Sequence, residues 1–302
     1  MRVVFVVLVL AACGRVGFSR HGDGGGGVDD GASGDQSGGD GGGGGPDARP
    51  PIVEGPLLVP ASTFDRENNP TFPATVSQFM LDRYEVTVRR FRPFVEGGFG
   101  VQPTAPALGA GAHPVLGSGS GWNTAWATEL EPDTTTFRTK LISTLRSTYS
   151  PTPGVKDELP IVDASWFEAF AFCIWDGGRL PTYAEYQAAV LGGMEQRVYP
   201  WGDVFDPALL AMGETQLVGS HPGGDGRWGH ADLAGNVDEW LFDRQQLPVP
   251  CIDCAAIGDA ATPRALGGWD WGRVSSDYAN GGAQHGASPQ TGLDRRGFRC
   301  VH

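Results

Sequence analysis

The sequence predicts an irregular α+β fold with two or three helices, short strands and much loop, and three features lead there. Two Ser/Thr-x-x-Glu capping boxes, Ser165 with Glu168 and Thr182 with Glu185, open apolar runs that stop at Gly177-Gly178 and Gly192-Gly193. Strand signals are brief and scattered among Pro- and Gly-bearing turns. Beyond Gly193 no strong helical period returns, and the chain proceeds in short segments punctuated by Trp and Gly.

The elements begin with a segment that is not part of the fold. Val3 to Leu10 is an apolar run too short to span a bilayer as a mature helix, and it reads as a signal peptide. Leu10-Ala11-Ala12-Cys13 resembles the bacterial lipobox, in which the cysteine takes lipid on its thiol and becomes the new N-terminus; the alternative is an ordinary secretory signal with an incidental Cys13. Residues 1–21 are thus expected to be a lipoprotein signal and anchor start, which places the chain in the bacterial cell envelope, on the outer membrane or the periplasmic face. Between Gly22 and Gly45, 14 of 24 residues are Gly. Residues 22–50 therefore cannot offset the entropy of ordering and form a tether with a mean reach of about 30 Å.

Residues 51–302 remain as one domain. The whole chain carries 22 basic and 35 acidic residues, a net charge of -13, so nucleic acid is not an expected partner and the membrane is met only through the lipid anchor. Pro51 to Phe64 is a weak strand region, and Phe79 to Val86 has strand content. Thr87 caps a helix with Val88, Phe91, Phe94 and Val95 on one face, which Pro93 should kink or shorten. Residues 98–160 read as a long loop insertion with one helical candidate, Asp133 to Thr148. The two capped helices follow, the second from Tyr183 to about Leu191.

Arg83-Tyr84-Glu85-Val86-Thr87, Ser165-Trp166-Phe167-Glu168-Ala169, Gly178-Arg179-Leu180-Pro181-Thr182, Tyr199-Pro200-Trp201-Gly202-Asp203, Ala234 to Trp240, Gly267-Gly268-Trp269 and Gly297-Phe298-Arg299-Cys300 stand in one order. That series resembles the sulfatase-modifying-factor family, whose best-known member is the formylglycine-generating enzyme. The resemblance implies a loop-rich C-type-lectin-like fold. It also implies a chemistry, oxidation of a sulfatase cysteine by copper held on two cysteines, because soft thiolates suit Cu(I). Here Gly272 and Asp277 stand where those cysteines would be, and Trp269 replaces a serine. Neither supplies a thiolate, so copper is not expected and no catalytic residue is assigned.

Setting Cys13 aside leaves Cys173, Cys251, Cys254 and Cys300, an even number for an exported protein. The resemblance pairs Cys173 with Cys300. Cys251-Ile252-Asp253-Cys254 is read as a local disulfide, with a redox pair or a metal or free-thiol role as alternatives; no cation or helix N-terminus adjoins it in sequence. A structural calcium site is implied by the resemblance at Asp232 and Glu239 through side chains and at Gly235 and Val237 through carbonyls, a donor set suited to a hard cation. A second family calcium site lacks its asparagine at Leu210 to Gly213. His113, His221, His230 and His285 show no ligand spacing, and no zinc-protease, phosphate-loop or nucleophile-elbow motif occurs.

Two functions remain from this reading. The favoured one is a non-catalytic binding or structural lipoprotein whose ligand is a protein or a glycan, with Trp269, Trp271 and Tyr278 as a candidate surface unless those rings are core. The other is a metal-dependent modifying enzyme acting on exported polypeptides through Asp277, His285 or the Cys251 and Cys254 pair.

Overall fold

The computed structural model describes residues 54–273, 275 and 285–302. The signal run, Cys13, the Gly-rich stretch, Asp277 and Tyr278 lie outside the described residues. Nine short strands and four helices carry the described fold, joined by turns and 3-10 segments. Strand β1 (Pro56–Val59) pairs antiparallel with β4 (Phe79–Asp82), and β2 (Ser62–Asp65) pairs with β3 (Pro73–Val76), which takes the two-residue β6 (Cys251–Ile252) in parallel on its other side. The largest sheet runs β8 (His285–Ala287), β7 (Arg264–Gly267), β5 (Asp238–Arg244), β9 (Arg296–Gly297). No helix among the described residues is long and apolar enough to cross a membrane.

The helices start where their caps predict. Helix α1 (Val88–Glu96) opens on Thr87, whose hydroxyl accepts from the Arg90 N–H at 3.2 Å, and it continues through Pro93 to end at Gly97. Proline removes one donor from its interior, and a nine-residue helix tolerates that because tertiary packing on Phe91, Phe94 and Val95 holds it. Helix α3 (Trp166–Trp175) and helix α4 (Tyr183–Leu191) both close complete capping boxes, and Gly192 ends α4 at φ 67°, a left-handed cap.

The 98–160 segment is more than a loop insertion. Its helix α2 (Thr134–Leu141) is shorter than the sequence reading, but Trp122, Trp126, Phe137, Leu141 and Tyr149 are all buried in the main core with α1, α3 and β5. Trp126 meets Trp166 edge-on at 5.5 Å, and Phe137 meets Phe91 at 6.1 Å. Each such side chain contributes about 1.5–3 kcal/mol by leaving water. Polar ties fix the same layer: Trp166 donates to the Leu241 carbonyl at 2.8 Å and Trp240 to that of Ala164 at 3.0 Å, so α3 and β5 latch reciprocally. Lys140 on α2 holds both oxygens of the buried Glu168 at 2.8 Å, and Lys156 donates to the Ser147 carbonyl at 2.8 Å.

Both disulfides are formed. Cys173 on α3 joins Cys300 after β9, with both residues fully buried, and Cys251 joins Cys254 beside β6. A second core packs α4 against β1 to β4. Gly267-Gly268 is required where β7 crosses α4, because a Cβ on Gly267 would stand 2.5 Å from the Tyr186 ring and Gly268 adopts φ 89°.

Candidate functional site

The segment that the resemblance sets against the family's copper cysteines leaves β7 at one end of the large sheet. There the start of β5, the end of β7, the start of β8 and the approach to β9 converge, through the pairs Glu239 with Gly267, Leu266 with His285 and Asp238 with Arg296. Asp238 and Asp270 are buried, and Arg273 and Arg295 rim the corner at about one-third exposure. Both rim guanidiniums turn Nε toward the same Asp270 oxygen at 3.5 Å, which is too long for a strong pair. His285 Nε2 lies 3.1 Å from Asp238 Oδ1 without the alignment a hydrogen bond needs.

Seven of the fifteen buried side-chain N and O atoms without a hydrogen-bond partner among the described residues fall in this corner, on Asp238, Asp270, Trp271, His285, Arg295 and Arg296. Such atoms are costly to leave unmade, so this corner concentrates unmet donors and acceptors among the described residues. Burial, then the neighbouring Asp238, pushes the Asp270 carboxyl up, and burial pulls Arg296 down to about 10. Trp269, at φ 76°, stacks on His285 at 4.0 Å, and Arg146 from the insertion lies over Trp271 at 4.3 Å. Gly272, which the resemblance sets against the first copper cysteine, is exposed, with its N–H on Asp270 Oδ1 at 2.8 Å. Of the proposed surface, Trp269 and Trp271 are both partly buried and flank this corner; Tyr278, like Asp277, lies outside the described residues.

The calcium donors of the sequence reading meet a different arrangement. Arg299, fully buried, takes both oxygens of Glu239, Nε to Oε2 at 2.6 Å and Nη2 to Oε1 at 2.7 Å. Asp232, at φ 54°, accepts the Gly219 N–H at 2.5 Å, and the Asp232 carbonyl faces the same guanidinium at 3.4 Å. Gly235 and Val237 bracket Asn236, whose amide donates to Glu85 Oε2 at 2.7 Å and to the Gln216 carbonyl at 3.3 Å. Both Glu239 oxygens thus face a guanidinium, a cation that competes with a calcium ion at this carboxylate. No group of three or more His, Cys, Asp and Glu side chains among the described residues is arranged to hold a metal.

Glu85, missed by the sequence reading as a site residue, completes this interior network. Burial, then the nearby Asp232 and Glu239, pushes its carboxyl well above the usual range, and its Oε1 has no hydrogen-bond partner among the described residues. Burial likewise lifts Asp232 to about 6. Three interior carboxylates share one guanidinium, which favours keeping a proton among them. Asp238, Asp270 and the rim arginines were also missed, since each is unremarkable until the strand ends bring them together.

A family model described as the sulfatase-modifying factor enzyme 1-like domain matches residues 51–302. Among curated relatives, the inactive C-alpha-formylglycine-generating enzyme 2 of Bos taurus is 32% identical over 180 residues, covering 52% of this chain and 55% of that protein. The formylglycine-generating enzyme of Thermomonospora curvata is 26% identical over 231 residues, covering 64% and 72%. The chain thus spans about half the length of the first of these relatives. Among solved structures, PvdO from Pseudomonas aeruginosa superposes with a TM-score of 0.55 at 19% identity, covering 82% of this chain and 93% of that one. Treponema denticola variable protein 1 gives 0.52 at 18%, covering 83% and 99%. These likenesses carry the C-type-lectin-like fold, and the match across residues 51–302 carries the family: the chain belongs to the sulfatase-modifying factor enzyme 1-like domain family.

Proposed function

We propose that this chain is a lipid-anchored protein of the bacterial cell envelope whose sulfatase-modifying-factor-like domain binds a protein or glycan ligand and does not generate formylglycine. One observation carries the reading. Gly272 and Asp277 stand at the two copper positions, and all four cysteines of the domain are consumed in the Cys173–Cys300 and Cys251–Cys254 disulfides. A Cu(I) centre needs paired soft thiolates; none stands at those two positions, and none is free elsewhere in the domain while both disulfides are closed. A relative named as an inactive formylglycine-generating enzyme is consistent with a scaffold that outlives its chemistry.

The corner around Asp238, Asp270 and His285 supports binding, since its unpartnered donors and acceptors suit a ligand rich in both. Structural calcium belongs to this proposal only without Glu239. The test is incubation of the protein with Cu(I) and a peptide bearing the Cys-x-Pro-x-Arg motif, following copper stoichiometry and peptide mass together. No stoichiometric copper and an unchanged peptide mass are expected; tight copper uptake with conversion of the peptide cysteine overturns the proposal.

A further inference from the structure

We propose that Cys251–Cys254 is a thiol-exchanging disulfide that oxidises an external dithiol, with Cys251 as the sulfur attacked and Cys254 as the sulfur released. The two faces of the pair differ. Cys251 lines an open cleft of about 560 Å³ with Pro73, Ala74, Thr75, Pro250 and Ile252, on a strand of two residues. Cys254, partly buried like Cys251, does not line that cleft, and Arg66 Nη1 lies 3.9 Å from its Sγ. Sequence alone hides this cation, because 188 positions separate the two residues.

Arg66 is 4% exposed. Its guanidinium donates to the Phe72 carbonyl at 3.4 Å and to that of Val249, and among the described residues no carboxylate forms an ion pair with it; Tyr183, Asp243 and Glu67 act on it without an ion pair. A buried cation with carbonyls for company is incompletely compensated. Reduction supplies what is missing, since the released Cys254 thiolate would be an anion beside that guanidinium. Asp253, the nearest opposing charge in sequence, is tied to the Ser77 N–H at 2.6 Å and hydroxyl at 2.8 Å. Cys173 and Cys300 have neither feature, being fully buried and, among the described residues, without a cation against their sulfurs.

The exchange balances as follows. A thiolate of the dithiol attacks Cys251 Sγ from the cleft, the Cys251–Cys254 bond breaks, and its electron pair leaves on Cys254 as a thiolate facing Arg66. The second thiol of the substrate, having lost its proton to solvent, attacks the substrate sulfur of the mixed disulfide and releases Cys251, which takes up a proton. The dithiol is oxidised by two electrons to a disulfide and the cysteine pair is reduced by two.

Two measurements on the full chain test this. In graded dithiothreitol with iodoacetamide trapping and mass mapping, Cys251 and Cys254 should become alkylated at a reductant concentration at least about tenfold below that opening Cys173 and Cys300. In a Cys251→Ser variant, the pH dependence of Cys254 alkylation should give a thiol pKa at least about one unit below the ordinary value of about 8.5. Adding Arg66→Met should return it to the ordinary range, and Arg66→Lys should retain the depression, with continued protection of Cys173 and Cys300 reporting that each variant is folded. Simultaneous opening of the two disulfides, or a Cys254 thiol titrating at or above about 8.5, overturns the proposal without reference to any Arg66 variant.

Discussion

Removing the Cys173–Cys300 bridge by a Cys173→Ala, Cys300→Ala double substitution tests how the two distant parts of this domain are held. The sulfurs close a loop whose ends are 127 positions apart. In the chain-entropy description, releasing a loop of that length returns about 5 kcal/mol of freedom to the unfolded state at 25 °C, and measured values for native bridges run about 2–5 kcal/mol. Both residues are fully buried, so losing the sulfurs also costs some packing around Phe172 and Phe298. An unfolding free energy lower by about 3–5 kcal/mol is expected. Guanidinium unfolding followed by Trp fluorescence measures it, and a scanning experiment should register a drop of roughly 10 °C for a domain of this size. A loss under about 1 kcal/mol would refute the reasoning, because it would mean that the unfolded chain is already constrained or that the bridge is strained by as much as it gains.

Three further outcomes are expected. Asp232 has a folded pKa of about 6 against an ordinary 3.8, so the fold binds a proton more readily than the unfolded chain; that contribution is full below about pH 4 and is lost as pH rises through 6. Asp232→Asn should therefore flatten the fall in stability between pH 4 and pH 7 by about 2–3 kcal/mol in urea titrations, and an unchanged slope would count against the burial argument. With Glu239 committed to Arg299, chelation of calcium should leave the melting temperature within about 1 °C, whereas a shift of several degrees on adding calcium would restore the metal reading. Cys13→Ser should move the protein from the detergent to the aqueous phase on partitioning and abolish incorporation of labelled fatty acid; incorporation that persists would sink the anchor.

How much of this was legible depended on whether the determining partners were local. Helices α3 and α4 declare themselves because Ser165 with Glu168 and Thr182 with Glu185 close their boxes within four residues. Strand β5 does not, although it is the longest strand described. Asp238, Glu239 and Asp243 break its apolar pattern, and all three are buried because their partners come from afar: His285 beside Asp238, Arg299 on Glu239, and the N–H groups of Tyr183 and Ala256 on Asp243. The insertion was underestimated for a related reason. Trp122, Trp126 and Tyr149 are isolated in sequence, carry no period, and become core only against α3 and its neighbours. At the candidate corner the motif Gly267-Gly268 fixed the place, but the arginines and carboxylates that fill it come from separate strand ends. The disulfide pairing was legible from cysteine count and family order, whereas the guanidinium beside Cys254 was not.

The clamp between Lys140 and Glu168 reaches beyond the packing it secures. The chain has two lysines only, and both ammonium groups are engaged, Lys140 on Glu168 and Lys156 on the Ser147 carbonyl. Burial alone would lower the Lys140 pKa, but Glu168 outweighs it and holds the amine protonated above its ordinary value. An ammonium in that state is a poor nucleophile. In the native domain, esters and aldehydes that search for side-chain amines will find Lys140 a poor target, which leaves Lys156 as the other lysine they can meet. Mapping of this protein's neighbours is therefore better done through its 35 carboxylates, since an amine-directed cross-linker has two lysines to work with and one of them is clamped.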